Sequence, residues 1–263
     1  MTILDLLDKK RNRQKISMLT CYDFSFARLL DASRVDCLLV GDSAAMAMHG
    51  FSSTLPATLA MMQLHTAAVA RGAPSKLVVA DLPFASYRKD LGSNVEAAAT
   101  LMQAGAQAVK LEGADAATLA LVRHLVDSGI PVMGHLGLTP QSVHQLGGYK
   151  VQGREDTAAR RIAEQAQQLQ EVGSFALVLE CVPTVLGKRI TQALDIPVIG
   201  IGAGPHTDGQ VLVLQDMLGI TRDFKPKFVR SYWDGAAELT ALFDRFHADV
   251  VAGRFPDDSE SYA

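Results

Sequence analysis

Residues 77–81, Leu-Val-Val-Ala-Asp, are the clearest indication of the fold, because four consecutive apolar residues are followed directly by a carboxylate. A short apolar run without polar alternation is typical of a strand that is buried on both faces, as in a parallel sheet under helices. A carboxylate likewise ends the short, mainly apolar runs at residues 37–42 (CLLVGD), 108–112 (AVKLE) and 176–180 (ALVLE). The carboxyl ends of parallel strands converge at one edge of a sheet or barrel, so we expect the four acids to meet there.

Outward from these runs, strands and helices alternate along the chain. Eight strands in such alternation predict a (β/α)₈ TIM barrel, and a doubly wound open sheet is the alternative. The weakest strand is the eighth, near 217–220, after a short helix over 208–216. Residues 221–263 show no strand pattern and are predicted to be a C-terminal helical extension of a single domain, 1–263. The other predicted strands are 17–21, 35–41, 76–81, 107–112, 130–135, 175–180 and 197–201.

Composition excludes several classes of protein. The net charge is −3 and no long basic run is present, so neither nucleic acid nor an anionic membrane is an expected partner. The N-terminus lacks an apolar signal core, and no apolar run reaches the roughly 18 residues of a membrane span, which predicts a cytoplasmic protein. Cys21, Cys37 and Cys181 are scattered without CxxC spacing, as expected for reduced thiols.

The four acids would repel one another in one site, so we expect a cation among them. Oxygen ligands without a nearby Cys or His cluster favour Mg²⁺ over Zn²⁺. Asp42, Asp81 and Glu112 are the candidate ligands. A 2-oxo acid, with its carboxylate and ketone oxygens side by side, could chelate the same ion. For each acid taken alone, the alternative is a turn or a helix cap.

Lys110 lies two residues before Glu112, so on a strand both side chains point into the barrel. We expect Lys110 to pair with the substrate carboxylate or with a developing enolate oxygen. A Schiff base and a structural ion pair are the alternatives. Glu180 follows the apolar run FALVL and is the candidate general base, with a pKa raised by apolar surroundings.

Three further polar residues adjoin the predicted strand ends. His135 could hydrogen-bond a substrate oxygen or the metal shell, or could be only a satisfied interior residue. Ser43, directly after Asp42, offers a hydroxyl or an N–H to a substrate carboxylate. Cys181 adjoins Glu180, but no His–Cys motif supports a nucleophilic role. Residues 137–156 form a long polar connection of the kind that is usually functional.

Many motifs in one order carry a family resemblance over residues 17–230. They are VGDS, STLP, HTAAVARGAP, VVADLPF, AVKLEG, GHLGLTPQSV, GGYKVQGR, LVLECVP and IPVIGIGAG. Together they resemble the ketopantoate hydroxymethyltransferase family. The chain departs from the family pattern at Ala44-Ala45, where Leu-Gly is usual, and around Met61–Leu64, where an acidic residue is common.

The resemblance implies a (β/α)₈ barrel with Mg²⁺ that transfers a hydroxymethyl group from 5,10-methylenetetrahydrofolate to 3-methyl-2-oxobutanoate, the first step of pantothenate synthesis. By resemblance Asp42, Asp81 and Glu112 match the metal-site positions, and Glu180 matches the proton acceptor. Ser43, Asp81 and Lys110 match substrate-contacting positions, to which the residue analysis adds Asp42 and His135. Family members are commonly decamers, so a homo-oligomer is expected.

Two other functions stay open at this point. One is a Mg²⁺-dependent lyase or mutase that acts on a 2-oxo acid or phosphoenolpyruvate, for which the same carboxylates would serve. Such enzymes often use a Cys in a Lys-Lys-Cys-Gly-His-type loop, and the sequence contains no such segment. The other is a non-catalytic oligomeric barrel, which has no need of Lys110 and Glu180 beside a metal site.

Overall fold

A computed structural model describes residues 1–222 and 226–262. Its centre is a closed barrel of parallel strands in sequence order, in which the last strand pairs with the first. The closed barrel confirms the predicted fold and excludes the doubly wound open sheet. The strands are β1 (Ile16–Thr20), β2 (Cys37–Val40), β3 (Leu77–Asp81), β4 (Ala108–Glu112), β5 (Val132–Gly137), β6 (Ala176–Glu180), β7 (Val198–Ile201) and β8 (Gly209–Leu212).

Helices connect most of the strands, and several begin at side-chain caps that the sequence supplies. Asp90 and Asp115, for example, accept hydrogen bonds from backbone N–H groups of the first turn of their helices. The helices are α1 (Ile3–Arg11), α2 (Phe24–Asp31), α3 (Ala44–Ala47), α4 (Leu59–Gly72), α5 (Leu91–Gln103), α6 (Ala116–Asp127), α7 (Asp156–Glu171), α8 (Thr184–Ala193), α9 (Leu214–Met217) and α10 (Gly235–Val251). Short 3₁₀ helices span Pro140–Ser142 and Asp258–Glu260.

The last strand lies elsewhere than predicted. β8 is Gly209–Leu212 and α9 follows at Leu214–Met217, so the predicted helix over 208–216 and strand near 217–220 are wrong. β8 contains only two strongly apolar residues, and its strand conformation depends on pairing with Ile16–Leu19 of β1. That pairing joins residues almost two hundred positions apart, which a local pattern cannot reveal.

Helix α1 closes the N-terminal end of the barrel. Leu6 is fully buried in a cluster that contains the first residues of several strands, including Ile16, Cys37 and Leu77. Thr2 and Asp5 form a capping box that fixes the start of the helix. This end of the barrel is therefore filled by apolar side chains, and the opposite end is left for polar ones.

The chain divides into two compact units, Met1–Val213, which contains the barrel, and Leu214–Ala263, which contains α9 and α10. The predicted extension, 221–263, falls within the second unit. Helix α10 lies within that extension. Its apolar stripe consists of Leu239, Leu242, Phe243, Phe246 and Val250, and most of it is exposed. Among the described residues, every helix is too short or too polar to cross a membrane.

Candidate active site

Five charged side chains are buried together at the carboxyl ends of β2 to β5. Each is only 3–4% exposed, although burying a charge without a partner is costly. The strand register explains the grouping, because Asp81 lies beside Lys110 and Glu112 lies beside His135 on neighbouring strands. Asp42 follows β2 directly. The structure thus brings the predicted residues Asp42, Asp81, Lys110, Glu112 and His135 to one edge, here called the mouth of the barrel.

Lys110 is the positive charge at the centre of the mouth. Its Nζ lies 2.9 Å from Asp81 Oδ1 and 3.3 Å from His135 Nδ1. Burial favours the neutral amine, but the carboxylates of Asp81, Glu112 and Asp42 outweigh it and raise the pKa of Lys110. Lys110 is therefore held as an ammonium ion, which disfavours the Schiff-base role because an imine requires the free amine.

Asp42 and Asp81 are neighbours at the mouth and are joined through the Asp42 backbone. The backbone N–H of Asp42 donates to Asp81 Oδ2 at 3.1 Å. Burial raises the pKa of Asp42 well above its usual value, and the negative charges of Asp81 and Glu112 add to the rise. Burial also raises the pKa of Asp81, against the opposing effect of Lys110. Both carboxylates would gain from a further positive charge, since each is desolvated and faces other anions.

Glu112, His135 and Glu180 form a chain across the mouth. His135 Nδ1 is 3.5 Å from Glu112 Oε1, and Nε2 is 3.3 Å from Glu180 Oε2. Burial and Lys110 lower the pKa of His135, but the two glutamates outweigh them and raise it to about 9. The Lys110 contact at Nδ1 fits a neutral ring, whereas the glutamates favour the imidazolium. Nε2 lies at ion-pair distance from Glu180 without a hydrogen bond of good geometry to the described residues.

Glu180 differs from the buried carboxylates in its exposure and surroundings. It ends β6, and 15% of its side chain is exposed, compared with 3–4% for the side chains of Glu112 and Asp81. The apolar run before Glu180 predicted apolar surroundings for its carboxylate. In the structure the carboxylate instead lies beside the polar His135 ring. The strand buries Leu177 and Leu179 and leaves its terminal glutamate at the open edge.

Gln141 is the residue at the mouth that sequence reasoning missed. Its Nε2 donates to Asp42 Oδ2 at 2.8 Å and to the Leu82 carbonyl at 3.0 Å, and its backbone N–H donates to Glu112 Oε2 at 3.0 Å. Tyr87 OH donates to Gln141 Oε1 at 2.8 Å. Gln141 lies in GHLGLTPQSV, within the long connection singled out as functional, which was the available signal.

Ser43 and Gly137 contribute to the local geometry of the mouth. Ser43 Oγ lies 2.8 Å from the hydroxyl of the buried Tyr22, and this hydrogen bond fixes the Ser43 side chain. Gly137 has a φ of +91°, and an added Cβ would lie 2.1 Å from the Glu180 carbonyl oxygen. Only glycine therefore permits the chain after β5 to pass so close to the end of β6.

Cys181 lacks the electrostatic properties of a nucleophile. Burial, together with the neighbouring Glu180 carboxylate, raises the pKa of its thiol to about 12. A catalytic cysteine needs the opposite shift, toward the thiolate. Cys21, Cys37 and Cys181 are all free thiols.

The residues of the mouth fit Mg²⁺ held by a carboxylate pair. In the described part of the chain, no three His, Cys, Asp or Glu side chains form a complete metal-binding group. Mg²⁺, however, is commonly held by one or two carboxylates together with water and substrate oxygens. Asp42 and Asp81 offer such a pair, and Asp81 Oδ1 is buried at ion-pair distance from Lys110 without a hydrogen bond of good geometry. The third ligand, Glu112, stays a prediction.

Several solved structures share the fold of this barrel. A putative phosphonomutase from Burkholderia cenocepacia superposes with a TM-score of 0.68 at 16% identity, covering 93% of this chain and 100% of that chain. A phosphonopyruvate hydrolase in complex with oxalate and Mg²⁺ superposes with a TM-score of 0.64 at 10% identity, covering 99% and 93%. At such identities the likeness concerns the fold alone.

Sequence comparison is far more specific. The chain is 61% identical over 262 residues to the 3-methyl-2-oxobutanoate hydroxymethyltransferase of Bdellovibrio bacteriovorus, covering 100% of this chain and 99% of that protein. It is 51% identical over 262 residues to the enzyme of that name from Legionella pneumophila, with full coverage of both. The sequence model of ketopantoate hydroxymethyltransferase matches residues 1–258. This chain therefore belongs to the ketopantoate hydroxymethyltransferase family of transferase enzymes.

Proposed function

We propose that the chain transfers a hydroxymethyl group from 5,10-methylenetetrahydrofolate to 3-methyl-2-oxobutanoate, giving 2-dehydropantoate for pantothenate synthesis. The names of relatives at 51–61% identity support the oxo acid as substrate and the transfer of a hydroxymethyl group. The folate donor is what the family resemblance implies. The observation that carries the chemistry is the Lys110 ammonium buried among carboxylates, with a partly exposed Glu180 on the far side of His135. This arrangement offers separate groups to hold an anionic substrate and to take a proton from it.

The oxo acid is expected to bind over the Asp42–Asp81 pair. Mg²⁺, held by this pair and in the prediction also by Glu112, would polarise the ketone and make the neighbouring C–H more acidic. Lys110 is placed to stabilise the negative charge that develops on the ketone oxygen, because its ammonium form is already favoured before substrate arrives. Ser43 supplies a hydroxyl to the substrate carboxylate, and His135 supplies a ring N–H to a substrate oxygen.

Glu180 is the proposed proton acceptor at C3 of the oxo acid. Its carboxylate is the most exposed acid of the mouth, and its Oε2 lies 3.3 Å from His135 Nε2. This partial exposure leaves the carboxylate accessible to a substrate bound at the mouth. Deprotonation at C3 makes a nucleophilic carbon, which bonds to the methylene carbon of the folate in an aldol-type step. Both carbon–nitrogen bonds of that methylene group break, and water supplies the hydroxyl oxygen of the product. The proton taken from C3 and one proton from water end on the two folate nitrogens, so that tetrahydrofolate leaves.

The test of the proposed function is release of tetrahydrofolate. Purified enzyme with methylenetetrahydrofolate should release it only when 3-methyl-2-oxobutanoate is present, and 2-dehydropantoate should form in equal amount. Treatment with EDTA should abolish release, and Mg²⁺ should restore it. Full activity without any metal would contradict the magnesium assignment.

The melting temperature measures metal binding independently of activity. Mg²⁺ should raise the melting temperature of the wild type, because it neutralises buried anions in the folded state only. In Asp81→Ala the rise should be largely lost, and oxo-acid binding should weaken with it. An equal rise in both proteins would show that Mg²⁺ binds elsewhere.

The second candidate function is a Mg²⁺-dependent lyase or mutase of a 2-oxo acid. The phosphonopyruvate hydrolase with oxalate and Mg²⁺, which shares the fold, is the observation that favours it. Such an enzyme would cleave or rearrange its substrate without folate. Product formed from the oxo acid alone would therefore decide for this candidate.

We also propose that the single-domain chain acts in the cytoplasm as a homo-oligomer, with a decamer as the expected size. Helix α10 supports the homo-oligomer, since Leu242, Phe243 and Phe246 are 55–67% exposed on one apolar stripe that a second subunit could cover. Burying such side chains is worth roughly 1.5–3 kcal/mol each before ordering costs. In a chain truncated after Tyr232, light scattering should give a lower mass, or the protein should be less soluble. An unchanged mass would contradict the role of α10.

A further inference from the structure

A cavity of about 420 Å³ lies outside the mouth, between the start of α4, the segment after β3 and one face of α5. Its volume is within the range of about 300–1,000 Å³ that is typical of small-molecule sites. None of the residues proposed above for the metal, the oxo acid or proton transfer lines it. The cavity is therefore a separate space whose occupant has to be identified from its walls.

The segment 82–88 belongs to both the cavity and the mouth. At its start, the Leu82 carbonyl accepts a hydrogen bond from Gln141 Nε2 at 3.0 Å. At its end, Tyr87 OH bonds Gln141 and Arg88 Nη2 donates to the Glu112 carbonyl at 3.1 Å. Residues 83–86, between these anchors, line the cavity. A molecule in the cavity would thus contact a loop whose two ends are fastened to the catalytic centre.

The cavity wall carries groups that match a flat heterocycle. Phe84 is apolar yet 49% exposed, which leaves a ring face available for stacking. Ser86 lines the cavity, and its buried Oγ has no hydrogen-bond partner among the described residues, so rotation of the side chain would present the hydroxyl to a polar ligand atom. Ala85 between them has a φ of +58°, an unfavourable conformation for a residue other than glycine that is typical of functional segments.

The wall also carries one charge of each sign. Lys89 and Glu96 both line the cavity and are both exposed. A cation here can pair with a carboxylate, while a glutamate can accept hydrogen bonds from amino and ring N–H groups. The mouth itself already holds an excess of carboxylates and would repel an anionic tail. An anion that must approach the mouth is therefore better accommodated in the neighbouring cavity.

We propose that this cavity is the binding site of the folate co-substrate, an inference that depends on the proposed function. The pterin stacks on Phe84, its donors meet Glu96 and Ser86, and the glutamate carboxylates pair with Lys89. The one-carbon unit then reaches the mouth along segment 82–88, beside the C3 carbon of the oxo acid. The roles proposed for the mouth residues stay unchanged.

The experiment measures folate binding and folate-independent hydrogen exchange separately in two variants, Phe84→Ala and Lys89→Gln. Tetrahydrofolate binding, measured by calorimetry, and the KM for methylenetetrahydrofolate should each worsen on the order of tenfold. Exchange of the C3 hydrogen of 3-methyl-2-oxobutanoate, which needs no folate, should change by less than about twofold. Phe24→Ala, at 45% exposure on α2, and the exposed Lys188→Gln on α8 are matched controls that should leave tetrahydrofolate binding unchanged.

The outcomes separate this inference from the proposed function. If both variants bind tetrahydrofolate like the wild type while the wild type still makes product, the cavity assignment is overturned and the proposed function stands. The cavity assignment is also overturned if the variants lose oligomeric mass with unchanged folate affinity, because the cavity then faces another subunit. A wild type that neither binds tetrahydrofolate nor makes product overturns the proposed function and the cavity assignment together.

Discussion

The two ends of the barrel bury opposite kinds of side chain. At the N-terminal end, Leu6 of α1 is fully buried among apolar strand residues, and the Lys9–Asp36 ion pair stays at the rim with 23% and 10% of its side chains exposed. At the mouth, the Lys110–Asp81 pair is buried to 5% and 4% side-chain exposure, and three more charged residues surround it. The same strands therefore present apolar groups at their start and charges at their end.

The N-terminal end of the barrel contributes stability to the folded state, whereas the mouth lowers it. Removing apolar surface from water stabilises the folded state at the N-terminal end. Burying several carboxylates and an ammonium ion costs desolvation energy, which their mutual attraction offsets only in part. Removing one charge at the mouth is therefore expected to abolish activity. Removing an apolar side chain at the N-terminal end is expected to lower only the stability of the fold.

The largest effect is expected for Lys110→Met, which keeps the length of the side chain but removes its charge. Exchange at C3 of the oxo acid should fall by roughly three orders of magnitude or more, because the charge that stabilises the developing enolate is lost. The exchange is followed by NMR in deuterated buffer. Lys10→Met is the matched control at the opposite end, where Lys10 pairs with Asp208 at 2.7 Å. Equal losses in the two variants would contradict the division between the ends.

The next effect concerns folding alone. Leu6→Ala should lower the free energy of unfolding by about 2–5 kcal/mol, because it leaves a cavity under the barrel. Exchange activity per folded molecule should be retained. Leu4→Ala on the same helix, where Leu4 is 64% exposed, should change stability by no more than about 0.5 kcal/mol. Chemical denaturation measures both. A Leu6 variant as stable as the Leu4 variant would show that α1 does not close the barrel.

Glu180→Gln tests whether Glu180 is the group at the mouth that accepts the proton. The amide keeps the size of the side chain and its contact with His135, but it cannot take a proton. Exchange should fall by roughly two orders of magnitude, while binding of 3-methyl-2-oxobutanoate measured by calorimetry stays near normal. Unchanged exchange would mean that another group accepts the proton.

The smallest effect is a pH dependence at the N-terminal end. Burial raises the pKa of Asp36, but the Lys9 ammonium and the Ser17 hydrogen bonds outweigh it and lower the pKa below its usual value. A lowered folded-state pKa means that the carboxylate contributes stability above an unfolded value of about 3.9, and that this contribution is lost as the pH falls through the folded value. Asp36→Asn should therefore cost about 1 kcal/mol at neutral pH. The difference from wild type should shrink below about pH 4, and a difference independent of pH would contradict this account.

Much of the barrel was predictable because its signals are local. Seven strands are mainly apolar stretches of four to six residues, and the structure places each within two residues of its predicted bounds. β8 was not predictable, since its four residues become a strand only by pairing with β1. The sequence offered no comparable clue to α1 as a closing element, because its single deeply buried side chain, Leu6, is identified only by its neighbours.

The candidate site divides in the same way. Local patterns were sufficient to place Asp42, Asp81, Glu112 and Glu180 at or just beyond the ends of parallel strands, and parallel strands carry their ends to one edge. The family motifs added the chemistry. The position of His135 between Glu112 and Glu180, and the hydrogen bond from Gln141 of a distant loop to Asp42, depend on the closed barrel. Contacts of this kind join residues far apart in the chain, and their geometry follows from barrel closure rather than from any local pattern.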